Sequence, residues 1–346
     1  PYDRFECRVG LGYSRYITEF YGIRADITVF VPVGEDRVIR DITLTNLTGA
    51  SVEIDVIPVV EYTHFDALKQ FTNADWVPQT MQSEAFRDDN GLVILQQYAF
   101  MKKDTAVNYL TSNWPVSSFE SDRKRFLGDN EYGTWRAPKA LEHAELSNYE
   151  AQRGDNIGAL MHHLGTFAPN EMKRIITQLG QTANIPAALP AIRRFRDGAQ
   201  VDDAFKQLAD SWNAYLSKFQ VNTPDAAMNS MLNVHNPRQC STTKNWSRDL
   251  SLYQLGFGGR GMGFRDSSQD SMGILANAPE DGKALMTKLL HVQKRDGSAM
   301  HQFFPSTMVA TVGDSHEMPD RPKFYGDDHL WIILAVTAYL KESGDM

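Results

Sequence analysis

The stretch Val38-Ile39-Arg40-Asp41-Ile42-Thr43-Leu44-Thr45-Asn46, followed by Leu47-Thr48-Gly49, decides how the first half of the chain is read. Apolar and polar residues alternate at a period of two, β-branched types are frequent, and a turn signal closes the run. The same pattern recurs on either side. Residues 16–20 and 23–31 precede it, separated from it by the turn Pro32-Val33-Gly34-Glu35-Asp36. Residues 52–62, 92–100, 105–111, 158–164 and 172–179 follow it. Many short strands with no helix alternating between them predict an antiparallel β-sandwich over residues 1–190 rather than a βαβ fold.

The period changes near residue 195. Phe205, Leu208, Trp212, Tyr215 and Phe219 recur at helical spacing behind Asp202-Asp203. Thr223-Pro224-Asp225 reads as an N-cap with proline at the first helical position, opening a helix to about residue 235. Further helices are expected over 243–255, from Asp266-Ser267-Ser268-Gln269-Asp270 onward, over 279–293 and over 328–342. The organisation expected is therefore a sandwich (1–190), a helical linker (191–222) and an all-α domain (223–346). In the last helix, Leu330-Trp331-Ile332-Ile333-Leu334-Ala335-Val336 leaves almost no polar face. A helix apolar all round is buried on several sides, and so few helices cannot cover it. The chain begins at Pro1 without an initiator Met or signal peptide and stops just past this helix, so a piece of a longer protein is expected.

Composition narrows the function. The 346 residues suffice for two domains, and 42% hydrophobic with 23% charged residues excludes wholesale disorder and fibrous rods. With 35 Lys+Arg against 43 Asp+Glu the net charge is −8, which argues against a general affinity for nucleic acid or anionic membrane. No apolar run approaches the roughly 18 residues of a membrane span. The two cysteines, Cys7 and Cys240, are too few for a disulfide scaffold and fit a reducing, cytoplasmic setting. No Cys/His spacing suggests a metal site, and no cofactor is expected.

The most concentrated polar run is Arg260-Gly261-Met262-Gly263-Phe264-Arg265-Asp266-Ser267-Ser268-Gln269-Asp270, with two arginines and two aspartates in eleven residues. Glycine-rich backbone admits a ligand closely, and planar Arg forks with carboxylates grip vicinal sugar hydroxyls or phosphate. The plainer alternative is a helix N-terminus with a solvated Arg–Asp pair. Gly256-Phe257-Gly258-Gly259-Arg260-Gly261 has dinucleotide-loop spacing, but the residues before it read as helix, whereas that loop must follow a strand. Tyr325-Gly326-Asp327-Asp328 offers paired carboxylates for acid–base chemistry, with helix capping by Asp327 or Asp328 as the plainer alternative. His162-His163 lies in a strand, so the rings face opposite ways and cannot share a metal. Cys240 reads as a core thiol. His301-Gln302 lies after the fifth helix, where a cleft lining and a plain loop fit equally well.

Three motifs in order resemble the inverting disaccharide phosphorylases of glycoside hydrolase family ninety-four, a family that includes cellobiose, chitobiose and cellobionic acid phosphorylases. They are Asn236-Pro237-Arg238-Gln239-Cys240-Ser241-Thr242-Thr243-Lys244-Asn245-Trp246-Ser247-Arg248, residues 258–270, and Gly326-Asp327-Asp328-His329-Leu330-Trp331. Tyr2-Asp3-Arg4-Phe5-Glu6-Cys7, Gly10-Leu11-Gly12-Tyr13 and Arg125-Phe126-Leu127-Gly128 are similar to that family's N-terminal β domain, so the likeness covers nearly the whole chain.

The resemblance implies a β-supersandwich, a helical linker and the first part of an α/α six-hairpin toroid barrel. It implies that inorganic phosphate, as co-substrate, attacks the anomeric carbon of a β-linked disaccharide. A carboxylic acid protonates the leaving oxygen, and an α-sugar 1-phosphate forms with inversion. One protein carboxyl suffices because phosphate is itself the nucleophile. Matched residue by residue, Arg260 and Asp266 would hold donor-sugar hydroxyls, with Arg265 beside them and Gln302 lining the cleft. The family's general acid lies in an Ala-Asp-Trp-Asn-Asp-like motif expected beyond Met346, as are the phosphate-binding residues, so no catalytic residue is assigned here. Asn73-Ala74-Asp75-Trp76 is only superficially like that motif.

The family also implies a homodimer in which a β-domain loop edges the partner's acceptor site. Here that loop would carry Arg125, Asp129, Asn130 and Glu131. Its Asp129-Asn130-Glu131 departs from the cellobiose and chitobiose patterns and leaves the acceptor open. Two other readings compete: a non-catalytic carbohydrate-binding or structural module, and an altered catalyst using Asp327 or Asp328 as acid.

Overall fold

The computed structural model describes residues 2–62, 77–101, 106–128, 134–246, 248, 261–305, 307–313 and 325–345. It divides into two compact units, residues 1–211 and 212–346. In the first, the strands are β1 (Arg4–Val9), β2 (Tyr13–Phe20), β3 (Ile23–Phe30), β4 (Arg37–Asn46), β5 (Val52–Val56), β6 (Val59–Glu61), β7 (Met81–Arg87), β8 (Val93–Ala99), β9 (Val107–Ser112), β10 (Ser118–Asp122), β11 (Asn156–Phe167) and β12 (Met172–Thr182). An eight-stranded sheet runs β1-β2-β3-β4-β12-β9-β8-β7, and a smaller one is built from β10-β11-β5 with β6 also on β11. Every pairing among these strands is antiparallel.

The expected sandwich is present, with differences that have physical causes. The single strand expected over 52–62 is two, because Pro58 has no N–H to give to a ladder. Its carbonyl instead accepts from the Leu160 amide at 3.2 Å. Strands β1, β7 and β10 have weaker β composition. β1 is an edge whose Arg4, Glu6 and Arg8 pair with one another along the strand, the charged edge that deters further pairing.

The central strands carry apolar residues on both faces because both are covered. Val93, Leu95 and Leu110 pack with Val60, Tyr62, Phe119 and Leu160 between the sheets. Their alternates Ile94 and Tyr109 pack with Ile185, Ala188 and Ile192 of a helix on the opposite face. That helix is the second α-helix among the described residues: α1 is Arg123–Leu127, α2 Ile185–Arg194 and α3 Gly198–Leu216. Alternation plus two covered faces explains the unbroken apolar run Leu92-Val93-Ile94-Leu95. Arg174 of β12 docks α3, reaching Asp41 at 2.7 Å and Asp202 at 2.6 Å.

His162 and His163 do point to opposite faces. His162 is buried with Nδ1 2.8 Å from the Pro115 carbonyl, and His163 bridges Asp55 (2.7 Å) and Glu145 (2.8 Å) at the surface.

The second unit starts within the last turns of α3. A continuous helix follows as α4 (Ala226–Ser230), a π-type turn over Met231–His235 and α5 (Asn236–Trp246). The π turn accommodates Pro237, whose ring and missing N–H disrupt an ordinary i→i−4 ladder. The cap is Asp225, not Thr223: its carboxylate accepts from the Ala227 and Met228 amides at 2.8 and 3.1 Å, while Thr223 Oγ1 donates to Asn229. Three more helices, α6 (Phe264–Gly273), α7 (Pro279–His291) and α8 (Asp328–Ser343), surround a core of Phe264, Leu285, Leu289, Phe303, Ile332, Ala335 and Tyr339.

This unit is not all helical. Strands β13 (Met262–Gly263), β14 (Gln302–Phe303) and β15 (Ala310–Thr311) form a small antiparallel sheet. Two-residue strands leave no periodicity to read. Of the apolar helix α8, Ile332, Ala335 and Tyr339 are buried, while Leu330, Ile333 and Leu334 stand at least half exposed, Ile333 at 61%.

Two outcomes are expected. Leu110→Ala, in a fully buried site between the sheets, lowers the unfolding free energy by about 3 kcal/mol in urea denaturation. For the surface cluster, Asp55 and then Glu145 raise the His163 pKa, while Ser118 and then His163 lower Glu145 to about 2. The histidine's contribution is complete below about pH 6.5 and is lost as pH rises through its raised value. Glu145's contribution is complete above about 4.3 and is lost only as pH falls towards about 2. NMR titration of His163 should show a midpoint above about 6.5 that drops in Asp55→Asn.

Candidate functional site

The small sheet and the helix leaving it build the site. Met262 pairs with Phe303 and Gly263 with Gln302, and Gln302 in turn pairs with Thr311. Gly261 enters this pairing at φ +80°, where a Cβ would lie 2.9 Å from the Phe303 carbonyl oxygen. Only glycine takes that backbone and that approach without strain. Helix α6 begins at Phe264, two residues ahead of the expected start, and the Phe264 amide donates to the His301 carbonyl at 2.9 Å. Arg265 and Asp266 thus sit in the first turn of a helix anchored to β14.

Acidic and basic groups interlock around this turn. Arg248 forms a two-pronged bond with Asp270, at 2.8 and 3.1 Å, and reaches Asp266 at 3.4 Å. Arg265 lies 3.6 Å from Asp266 and bonds Asp327 at 3.1 Å. Asp327 occupies the N-cap position of α8 but does not cap it: its carboxylate accepts from Arg265 and, at 3.3 Å, from Trp331 Nε1. Asp328, one residue on, is 1% exposed and accepts from His301 Nδ1 at 2.9 Å. The capping reading of this acidic pair is therefore replaced, because donors from other elements, Arg265 and His301, take the two side chains.

Arg265, Asp266, His301 and Gln302 line one cleft together with Gly261, Gly263 and Phe264. Its volume of about 80 Å³ is well below the roughly 300–1,000 Å³ of a complete ligand pocket. Guanidinium and amide donors beside carboxylate acceptors suit a polyhydroxylated ligand. Proton donation is another matter. Arg265 holds Asp327 below the usual carboxylate range, whereas a general acid at neutral pH needs its pKa raised. That counts against Asp327 as the acid, and burial behind His301 removes Asp328 from ligand reach.

The other sequence candidates lie elsewhere. Arg260, with residues 256–259 of the glycine-rich spacing, falls outside the described residues, as do Asp129, Asn130, Glu131, Met346 and Asn73-Ala74-Asp75-Trp76. Arg125 is in helix α1 rather than a loop, its guanidinium 3.9 Å from the centre of the Tyr149 ring. Cys240 is half-buried, and burial raises its thiol pKa. The first unit has a larger cleft of about 660 Å³, but Arg37 on its wall is already bonded to Glu35 at 3.0 Å and Gln178 at 3.4 Å. Among the described residues no group of three or more His, Cys, Asp or Glu side chains is arranged to hold a metal ion. None of the described helices is long and apolar enough to cross a membrane. Sequence reasoning missed the Arg248–Asp270 clamp and the Asp328–His301 pair. Both join residues more than twenty positions apart, and no local pattern signals such a meeting.

Comparison with known proteins places this architecture. Residues 1–198 match the model of the glycosyl hydrolase 94 supersandwich domain, and residues 211–346 match that of the glycosyl hydrolase 94 superfamily catalytic domain. The chain belongs to the glycosyl hydrolase 94 family. An N,N'-diacetylchitobiose phosphorylase of Vibrio furnissii is 28% identical over 99% of this chain and 44% of its own length. A solabiose phosphorylase of Paenibacillus borealis is 26% identical over 99% of this chain and 41% of its own. The chain thus spans less than half the length of the curated relatives it matches. A crystal structure of a bacterial glucoamylase complexed with acarbose aligns with 98% of this chain and 48% of its own at TM-score 0.59 and 13% identity, a likeness of fold: a sheet-rich sandwich followed by helices.

Because Gly261 has positive φ and sits against the Phe303 carbonyl, Gly261→Ala should destabilise the second unit by about 1–3 kcal/mol in thermal unfolding. Ala at Gly297, which also has positive φ but open space around it, should cost less.

Proposed function

We propose that the chain is the donor-recognising part of a sugar phosphorylase, which cleaves a β-linked disaccharide with inorganic phosphate and inversion to an α-sugar 1-phosphate. The observation that carries this reading is the convergence of Arg265, Asp266 and Gln302 on one cleft within the segment matching the family's catalytic domain. In this reading Arg260, Arg265 and Asp266 hold hydroxyls of the donor-side sugar and Gln302 lines its site. The general acid and the phosphate-binding groups come from sequence beyond Met346. That the matched relatives are more than twice as long as the match and that Arg265 keeps Asp327 deprotonated support this division of labour.

The mechanism follows from what each side supplies. Arg and Asp groups fixed before the ligand arrives position the pyranose, so that phosphate meets the anomeric carbon opposite the departing oxygen. No cofactor is needed, since phosphate is the nucleophile. The functional assembly is a cytoplasmic homodimer, with Arg125, Asp129, Asn130 and Glu131 edging the partner's acceptor site. The exposed apolar face of Leu330, Ile333 and Leu334 is covered by the later part of the barrel, because an open patch of that kind invites association. The two free cysteines fit a reducing compartment.

The test is a reverse-direction assay recording phosphate release. Glucose 1-phosphate or N-acetylglucosamine 1-phosphate is the donor, and glucose, N-acetylglucosamine and gluconate are acceptors. The chain alone should be silent, and a C-terminal half added in trans should restore turnover. In that pair, Asp266→Asn should lower kcat/KM by about 10–100-fold, the loss of a charge-assisted hydrogen bond. Release by the chain alone would sink the claim that the acid lies outside it. Sugar binding with no turnover in any combination would favour a non-catalytic binding module.

A further inference from the structure

We propose that His301, held by the buried carboxylate of Asp328, is a sugar-contacting residue of the cleft, with Nε2 as the atom that meets a ligand hydroxyl. The inference rests on the donor-sugar reading above and adds to it one contact and its positioning residue.

The imidazole is fixed on three sides. Nδ1 lies 2.9 Å from Asp328 Oδ2. Tyr325 stacks on the ring, with centroids 3.8 Å apart and planes at 22°. Gly313 abuts a third side: at φ +61°, a Cβ there would come within 2.7 Å of His301 Cδ2. The main chain is held as well, with the His301 amide donating to the Thr311 carbonyl and the His301 carbonyl accepting from Phe264, both at 2.9 Å. An exposed side chain loses considerable rotamer freedom when fixed in this way, yet His301 remains partly open and lines the cleft with Arg265, Asp266 and Gln302.

Asp328 determines what the ring offers. It sits at the first position of α8, where the helix's positive end favours an anion, and its Oδ1 has no partner among the described residues. A buried acid paired in this way is weak evidence for stability alone, since apolar residues of like volume often do as well. Its definite consequence is the tautomer. With Nδ1–H donating to the carboxylate, the neutral ring carries its lone pair on Nε2, and among the described residues the side-chain hydrogen bond seen for His301 is made through Nδ1. The cleft then holds Arg265 and the Gln302 amide as donors, Asp266 and His301 Nε2 as acceptors. Sugar hydroxyls, each both donor and acceptor, need that mixture.

The experiment uses the full chain with ¹⁵N-labelled histidine, titrated with glucose and with N-acetylglucosamine and followed by NMR. His301 should show the Nδ1–H tautomer, and its Nε2 signal should move with added sugar. His301→Asn keeps a donor to Asp328 but ends short of Nε2. It should weaken binding about tenfold at unchanged melting temperature, and His301→Gln, whose amide reaches the Nε2 position, should recover most of the loss. Asp328→Asn should also weaken binding while leaving His301 in place, and should that variant unfold, the His301 pair decides alone. Undiminished affinity in His301→Asn, with Asp266→Asn still abolishing binding, would overturn the His301 contact and leave the donor-sugar reading standing. No response to either sugar, in the parent chain and Asp266→Asn alike, would overturn both.

Discussion

Phe303 is fully buried against Phe264, Leu289 and Ile332, on a strand only two residues long. Burying that ring sets the arrangement of the cleft. Strand alternation turns the neighbouring Gln302 to the opposite face, where it lines the cleft. Pairing of Phe303 with Met262 leaves Gly263 opposite Gln302, so helix α6 must start immediately beyond. Arg265 and Asp266 then fall in its first turn. The Phe303 carbonyl also excludes any side chain at Gly261. One apolar contact worth about 1.5–3 kcal/mol thus fixes the position of three polar groups.

Charge pairing does the rest. Arg248 is clamped by Asp270 while touching Asp266, Arg265 joins Asp327, and His301 joins Asp328. Each pair ties an element of the second unit to another, so the cleft groups are oriented before any ligand arrives. Preorganisation of this kind favours tight recognition, because less freedom is lost on binding. The Arg265–Asp327 pair is poor equipment for proton donation, since the guanidinium holds that carboxyl below its usual range.

In the first unit the constraint is a sheet covered on both sides. Leu95 and Leu110 face the smaller sheet, and Ile94 and Tyr109 face helix α2. The wide sheet therefore admits apolar residues at successive positions only in its centre, while its β1 edge carries paired charges. In the second unit the last helix presents the reverse case, with an apolar face left open at Leu330, Ile333 and Leu334.

The residue pattern alone determined the sandwich, the change to helices near residue 195 and the polar run around Arg265 and Asp266, because period and composition are local properties that survive in a linear string. It also carried enough motif to point to the family. It did not reveal the break at Pro58 as two strands, the cap at Asp225 in place of Thr223, or the sheet that threads Gln302 into the cleft. Nor did it distinguish Asp327 and Asp328 as caps from the same residues as ion-pair partners. Those outcomes depend on which distant groups meet: Arg265 with Asp327 and His301 with Asp328 are 62 and 27 residues apart. Only the packing of α6, β14 and α8 around a shared core brings them within hydrogen-bond reach.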